Sequence, residues 1–344
     1  MNVLFVIPPV DYPNTLINIG AELGTVSLIS QVRKECEVNT MFYSFEYAKL
    51  IPPLFTIDEL LSYYKPDTIC ISVLTHSHPF AQSLSMKAKE NGCVVIWGGI
   101  YVSQKKSAII QENNSVDYYI LGEGEYFLPA LINKIKKEIK TFNLNISKNE
   151  IYQPLKSNEN IEYELPDFST IPRNLINKYS LPATLETTRG CKFKCEFCSL
   201  NKIDFIQKEK NAAQIYQELS NIVKYGFRKA IICDNNFIPN NEKFMQFQKI
   251  KEEIAFDLKL RVTIRLDLLN KELLRKFQQI NIDELIIGIE HIDESILSSM
   301  KKTNTYEYKW VDMARERILL AADMGFLMHP IFMFGWPGET KKNN

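Results

Sequence analysis

The stretch "RGCKFKCEFCSL", residues 189–200, places three of the chain's seven cysteines within eight positions, spaced CxxxCxxC. A structural zinc cage takes four protein ligands, so a triplet leaves a fourth to be found. Cys233, His76, His78, His291 and His329 are the remaining candidates, and none has the local spacing of a zinc knuckle. A cube of four irons and four sulfides takes one thiolate per iron. Three thiolates would leave one iron open, and an open position is where a metal does chemistry. At this level both metals stand. Phe197, the aromatic residue before the last cysteine, could shield a cluster from water, and Arg189 and Lys192 could offset its negative charge.

Outward from the triplet, the second half reads as repeated βα units. Strands are expected at 182–188 ("PATLETT"), 229–234 ("KAIICD"), 258–265 ("LKLRVTIR"), 284–290 ("ELIIGIE") and 326–335 ("FLMHPIFMFG"). Ile215, Leu219, Ile222 and Val223 recur at helical spacing with Gly226 as the stop, and Asn270 reads as the N-cap of a further helix. The cysteines therefore lie on the loop after the first strand of a run of βα units of barrel type, a partial TIM-like barrel. The first 140 residues alternate in the same way. Strands at 2–7, 38–44, 67–74, 93–99 and 117–122 are separated by helix-patterned segments. Five such strands predict a doubly wound, flavodoxin-like parallel sheet of Rossmann type, whose ligands gather at the strands' carboxyl ends. Ser72, Thr75, Gly98, Gly99, Gly122 and Gly124 stand at those ends. Between 141 and 180 the periodicity fades, so the expected division is a first domain at 1–140, a linker at 141–180 and a second domain at 181–344.

The 344 residues are 45% hydrophobic and 24% charged, with 41 basic and 41 acidic side chains. This balance argues against a general nucleic-acid or membrane-surface binder. No run approaches the roughly 18 apolar residues of a membrane span. The N-terminus has no basic region or cleavage site of a leader. A cytoplasmic enzyme is the expectation. Cys36, Cys70 and Cys93 lie in apolar segments and read as reduced core residues, not as a disulfide framework. No GxGxxG follows the first strand, which disfavours NAD or FAD.

"CKFKCEFC" resembles the CxxxCxΦC signature (Φ aromatic) of the radical S-adenosylmethionine (radical SAM) superfamily. The resemblance implies a 4Fe-4S cluster on Cys191, Cys195 and Cys198. Its open iron would chelate S-adenosylmethionine, and one-electron reduction would split the sulfonium to a 5′-deoxyadenosyl radical. It further implies that Phe197, Asp234, Asn235 and Asn236 (from "DNNFIPN"), Arg265 (from "RVTIRLDLL") and Glu290 (from "LIIGIEHID") contact S-adenosylmethionine. His291 stands where the family has serine. "FGWPGET", 334–340, resembles the family's "GLPGET" turn. No catalytic acid or base is assigned, since hydrogen abstraction needs none.

In the first half, "PPV…N.GAELGTVSLIS", "ISVLT", "WGGIYVS" and "YILGEGE" resemble, in order, the cobalamin-binding domain of one large radical SAM class. This implies a corrinoid over Ser72, Thr75, Gly98, Gly99 and Gly122. Two departures stand out. The DxHxxG motif is absent after the first strand, where "PPVDYPN" stands, and Tyr101 replaces the histidine of the relatives' "GGPH". The family core usually has six units, and five strands are counted before "GETKKNN". A last strand and a C-terminal substrate region are therefore expected to be missing. The implied activity is cobalamin-dependent methyl transfer to an unactivated carbon. The partners would be a small-molecule or peptide substrate and an electron donor such as flavodoxin or ferredoxin. Alternatives are a cyclase, rearrangement enzyme or methylthiotransferase without cobalamin, a truncated non-catalytic corrinoid- or cluster-binding module, and a structural zinc site.

Overall fold

In β1 (Asn2–Ile7), Val3 and Phe5 face one way and Leu4 and Val6 the other, and all four are buried. A strand buried on both faces must lie between two layers. Val3 and Phe5 pack with Ile29 and Val32 of the helix Leu23–Glu35, and with Leu131, Ile132 and Ile135 of the helix Leu128–Lys140. Leu4 and Val6 pack with Leu60, Leu61, Ala81 and Leu84 from two helices on the other side. Buried Cys36, Cys70 and Cys93 are side chains of these cores.

This computed structural model describes residues 1–10, 20–111, 115–140, 150–152, 164–203, 207–254, 257–302 and 309–340. The chain divides into two compact units, Met1–Tyr179 and Ser180–Asn344. In the first, β2 (Asn39–Ser44), β1, β3 (Thr68–Ser72), β4 (Val94–Gly98), β5 (Tyr118–Ile120) and β6 (Glu150–Tyr152) pair in that order, all parallel. The order reverses between β1 and β3, which marks the ligand-binding edge of such sheets. The sequence pattern gave five strands; β6 is a sixth, inside the stretch read as a linker. The same stretch buries Phe168, Ile171 and Leu175, and the Asp167 amide donates to Ser30 Oγ at 2.8 Å. Glu150, Ile151 and Tyr152 are all only partly buried and form no apolar run, and burial by distant partners leaves no local pattern.

The second unit holds a five-stranded parallel sheet in the order β7 (Ala183–Leu185), β10 (Lys229–Ile232), β11 (Lys259–Arg265), β12 (Ile282–Glu290), β13 (Leu327–Phe332). Its strands alternate. Leu260, Val262 and Ile264, with Leu285, Ile287 and Ile289, are buried on one face. Arg261, Thr263 and Arg265, with Glu284, Ile286 and Glu290, point to the other, so one face packs on helices and the other carries polar groups. Asn270 caps its helix as read, its Oδ1 accepting from the Leu273 amide at 2.9 Å, and the helix Ala212–Lys224 starts at a capping box of Asn211 with Gln214. This is the doubly wound sheet followed by a partial barrel that the alternation predicted.

Candidate functional site

The three cysteines stand on a loop closed at its base by a two-residue ribbon. β8 (Thr188–Arg189) pairs antiparallel with β9 (Lys208–Glu209). The loop's entry is fixed by Asp234, just past β10 and 3% exposed. Its carboxylate accepts from the Thr187 amide at 2.6 Å, Thr187 Oγ1 at 2.5 Å and the Thr188 amide at 3.0 Å. Asn235 Nδ2 donates to the Gly190 carbonyl at 3.3 Å. Within the loop, the Cys198 amide donates to the Cys195 carbonyl at 3.0 Å, and the Glu196 amide reaches the Met300 carbonyl at 2.9 Å. Cys195 is buried, Cys191 and Cys198 are half-buried, and none is in a disulfide.

Among the described residues, no group of three His, Cys, Asp or Glu side chains is gathered about one metal ion.

Arg265 and Lys302 are two of the cations beside this loop. Arg265, at the end of β11, donates from Nη1 to Cys195 Sγ at 3.3 Å and lies 4.2 Å over the Phe193 ring. Its Nε and Nη2 bind the Asp267 carboxylate at 3.0 and 2.8 Å, and Nη2 also bonds the Lys302 carbonyl. Burial works against the guanidinium's charge, but Asp267 and Cys195 outweigh it and keep the group cationic. Asn236 Oδ1 accepts from the Arg265 amide at 3.0 Å. Lys302 is the second cation. It is 4% exposed, with Nζ 2.9 Å from Glu290 Oε1 and 5.9 Å from the Phe197 ring centroid.

The structure thus brings Cys191, Cys195, Cys198, Phe197, Asp234, Asn235, Asn236, Arg265 and Glu290 to the carboxyl ends of β7, β10, β11 and β12. It also assigns local partners to several of them. Asp234 holds the loop, and Arg265 holds a cysteine and Asp267. Buried His291 accepts from the Asp293 amide through Nδ1 at 2.9 Å, and its Nε2 stands 3.7 Å from Glu339 of the "GWPGET" turn. Lys302 was missed by sequence reasoning; the neighbouring "MKKTN" carries no signal beyond its charge.

In the first unit, Ser72 and Gly98 are register partners at the ends of β3 and β4. Both are half-buried, and Thr75 is exposed. Gly99 is required by the fold itself: φ is +99°, and a Cβ would stand 2.7 Å from the Val73 carbonyl oxygen. Among the described residues, a Cβ at Gly98 would meet only the Ile120 oxygen at 3.9 Å, so their packing leaves that strand end bare. Gly122 donates its amide to Ser103 Oγ at 2.8 Å. Tyr101 is buried beneath the His78 ring, 4.6 Å between centroids, while His76 is exposed. Most of the segment after β1 where DxHxxG would fall, residues 11–19, lies outside the described residues.

The family model of the radical SAM superfamily matches residues 185–343. An uncharacterised methyltransferase of Pyrococcus horikoshii is 24% identical over 99% of this chain and 76% of its own length. A second, from Synechocystis, is 26% identical over 74% of this chain and 46% of its own. The anaerobic magnesium-protoporphyrin IX monomethyl ester cyclase of Cereibacter sphaeroides is 23% identical over 83% of this chain and 49% of its own. The chain thus spans about half the length of the last two. Among solved structures, the radical S-adenosylmethionine methyltransferase TsrM from Kitasatospora setae, with cobalamin and a 4Fe-4S cluster bound, superposes with a TM-score of 0.71. It is 15% identical, over 99% of this chain and 68% of that one, which is a likeness of fold.

Proposed function

We propose that the chain, whose residues 185–343 match the family model of the radical SAM superfamily, is a radical S-adenosylmethionine enzyme that transfers a methyl group from cobalamin to an unactivated carbon. One observation carries the reading. Three thiols share a loop pinned at both ends, beside a buried arginine that already donates to one of the sulfurs.

Cys191, Cys195 and Cys198 would hold the 4Fe-4S cluster, and Ser72, Thr75, Gly98, Gly99 and Gly122 would border the corrinoid in the first unit. The cluster with S-adenosylmethionine supplies one-electron cleavage of a carbon–sulfur bond and hydrogen abstraction, and cobalamin supplies the methyl group. The remaining work falls to the protein. Asp234 fixes the approach of the cysteine loop through Thr187 and Thr188. Phe193 and Phe197 exclude water on the loop's inner side. Arg265 and Lys302 balance negative charge there, and Asn235, Asn236 and Glu290 supply polar atoms for the amino-acid part of S-adenosylmethionine. The donor set fits both groups: soft thiolates for iron, and an open strand end at Gly98 for a large flat ligand. The substrate is a small molecule or peptide, the electron comes from a flavodoxin- or ferredoxin-type donor, and nucleic acid is not a partner. No described helix is long and apolar enough to cross a membrane.

The test is anaerobic reconstitution with iron, sulfide and hydroxocobalamin. Expected are an EPR signal of the reduced cluster that changes when S-adenosylmethionine is added, and corrinoid that survives gel filtration. Stoichiometric zinc with no iron would overturn the reading. A second reading is radical chemistry without cobalamin. It is selected if 5′-deoxyadenosine forms equally well with and without corrinoid.

A further inference from the structure

Lys302 is a lysine with 4% of its surface exposed, joined to Glu290, which is 6% exposed. Replacing such a pair by apolar side chains is often neutral or stabilising, so its presence asks for a reason other than stability. The structure makes special room for it. Gly288, two residues before Glu290 on β12, leaves the space the pair occupies: a Cβ there would stand 2.8 Å from Lys302 Nζ and closer still to Glu290 Oε1. Glu290 itself has φ of +68°, a left-handed backbone that a non-glycine residue adopts only at a cost. The turn that carries Lys302 also receives the cysteine loop. The Met300 carbonyl accepts from the Glu196 amide at 2.9 Å, Lys301 pairs with Glu196, and the Lys302 carbonyl accepts from Arg265, which holds Cys195. The ammonium itself faces Phe197, next to Cys198.

From this geometry we infer that Lys302 and Glu290 are a charge pair that sets the reduction potential of the cluster bound at Cys191, Cys195 and Cys198. The inference rests on the reading given under Proposed function and extends it to a residue no motif singles out. Its physics is direct. Reduction adds one negative charge to the cube, and a cation held in a poorly hydrated site stabilises the added charge more than it would in water. Glu290 opposes that effect and moderates it. A purely structural pair would behave differently, since removing either member would disturb the site in the same direction.

The test is an EPR-monitored redox titration of the full chain, anaerobically reconstituted and titrated with dithionite, comparing wild type with Lys302→Met, Lys302→Arg and Glu290→Gln. Lys302→Met is expected to lower the midpoint enough that the ratio of reduced to oxidised cluster at fixed potential falls about tenfold, roughly 59 mV for one electron. Glu290→Gln is expected to raise the midpoint, and Lys302→Arg to restore it to within threefold of wild type by the same ratio. Midpoints that do not move, or that move in the same direction for Lys302→Met and Glu290→Gln, overturn the inference. If Lys302→Met does not retain iron, the sign of the Glu290→Gln shift decides. A wild-type chain without an EPR-active cluster overturns the underlying reading instead, and is told apart by its iron content.

Discussion

Asp234 accepts three hydrogen bonds from Thr187 and Thr188, so its oxygens are aimed at the cysteine loop. Its role is to position that loop. Asp234→Asn would turn one acceptor into a donor facing donors, at a cost of about 1–3 kcal/mol. The expected outcome is a lower melting temperature and iron retention reduced several-fold after desalting, while Asp58→Asn, at an exposed carboxylate of the first unit, keeps its iron. Glu22 is a different case. Burial first, and the charge of Glu46 second, push its carboxyl up from 4.5 to about 7. The folded chain then binds one proton more than the unfolded chain between those two values, so stability falls as pH rises through that window. The loss is complete above pH 7 and on the order of 3 kcal/mol. Glu22→Gln should flatten the melting temperature between pH 5 and pH 8; a slope equal to wild type would show that the proton is held elsewhere.

At the scale of elements, the carboxyl end of β4 depends on the close approach of Gly99 to the backbone of Val73. The amide of Val73 donates to the Gly98 carbonyl, and its carbonyl accepts from Tyr101, so neither can move aside cheaply. Gly99→Ala adds both an unfavourable φ and a backbone clash. A loss of about 2–5 kcal/mol is expected in denaturant unfolding. Gly98→Ala meets no such contact, and its stability should stay within about 0.5 kcal/mol of wild type, while corrinoid affinity falls if a flat ligand rests on that strand end. The alternation of strands and helices was plain in the sequence because the inner strands β1, β3, β4 and β5 of the first sheet are buried on both faces and read as apolar runs. The strand β6 was not, because Glu150, Ile151 and Tyr152 are only partly buried and form no apolar run.

For the molecule as a whole, two units with separate cores imply separate responses to damage. The thiols proposed for the cluster all lie in Ser180–Asn344, and the strand ends proposed for the corrinoid lie in Met1–Tyr179. Gly99→Ala should therefore abolish corrinoid retention and leave the iron stoichiometry within twofold of wild type, as read by absorbance and iron assay on one preparation. Parallel loss of both would show that the units do not hold their cofactors independently. With 41 positive and 41 negative side chains, the chain's electrostatics are local. Cations gather where a negatively charged cluster would need them, at Arg265 and Lys302.

The sequence by itself determined the chemistry's starting point and the layer order. Cysteine spacing is a local property, and the alternation of strand and helix is fixed by which residues avoid water. Only the tertiary structure decided that Asp234 holds the loop, that Arg265 reaches Cys195, and that Lys302 lies beside Phe197. Those contacts join residues 46 to 105 positions apart. They depend on the parallel register of β10, β11 and β12 and on the turn that follows, where no local pattern of hydrophobicity can record them.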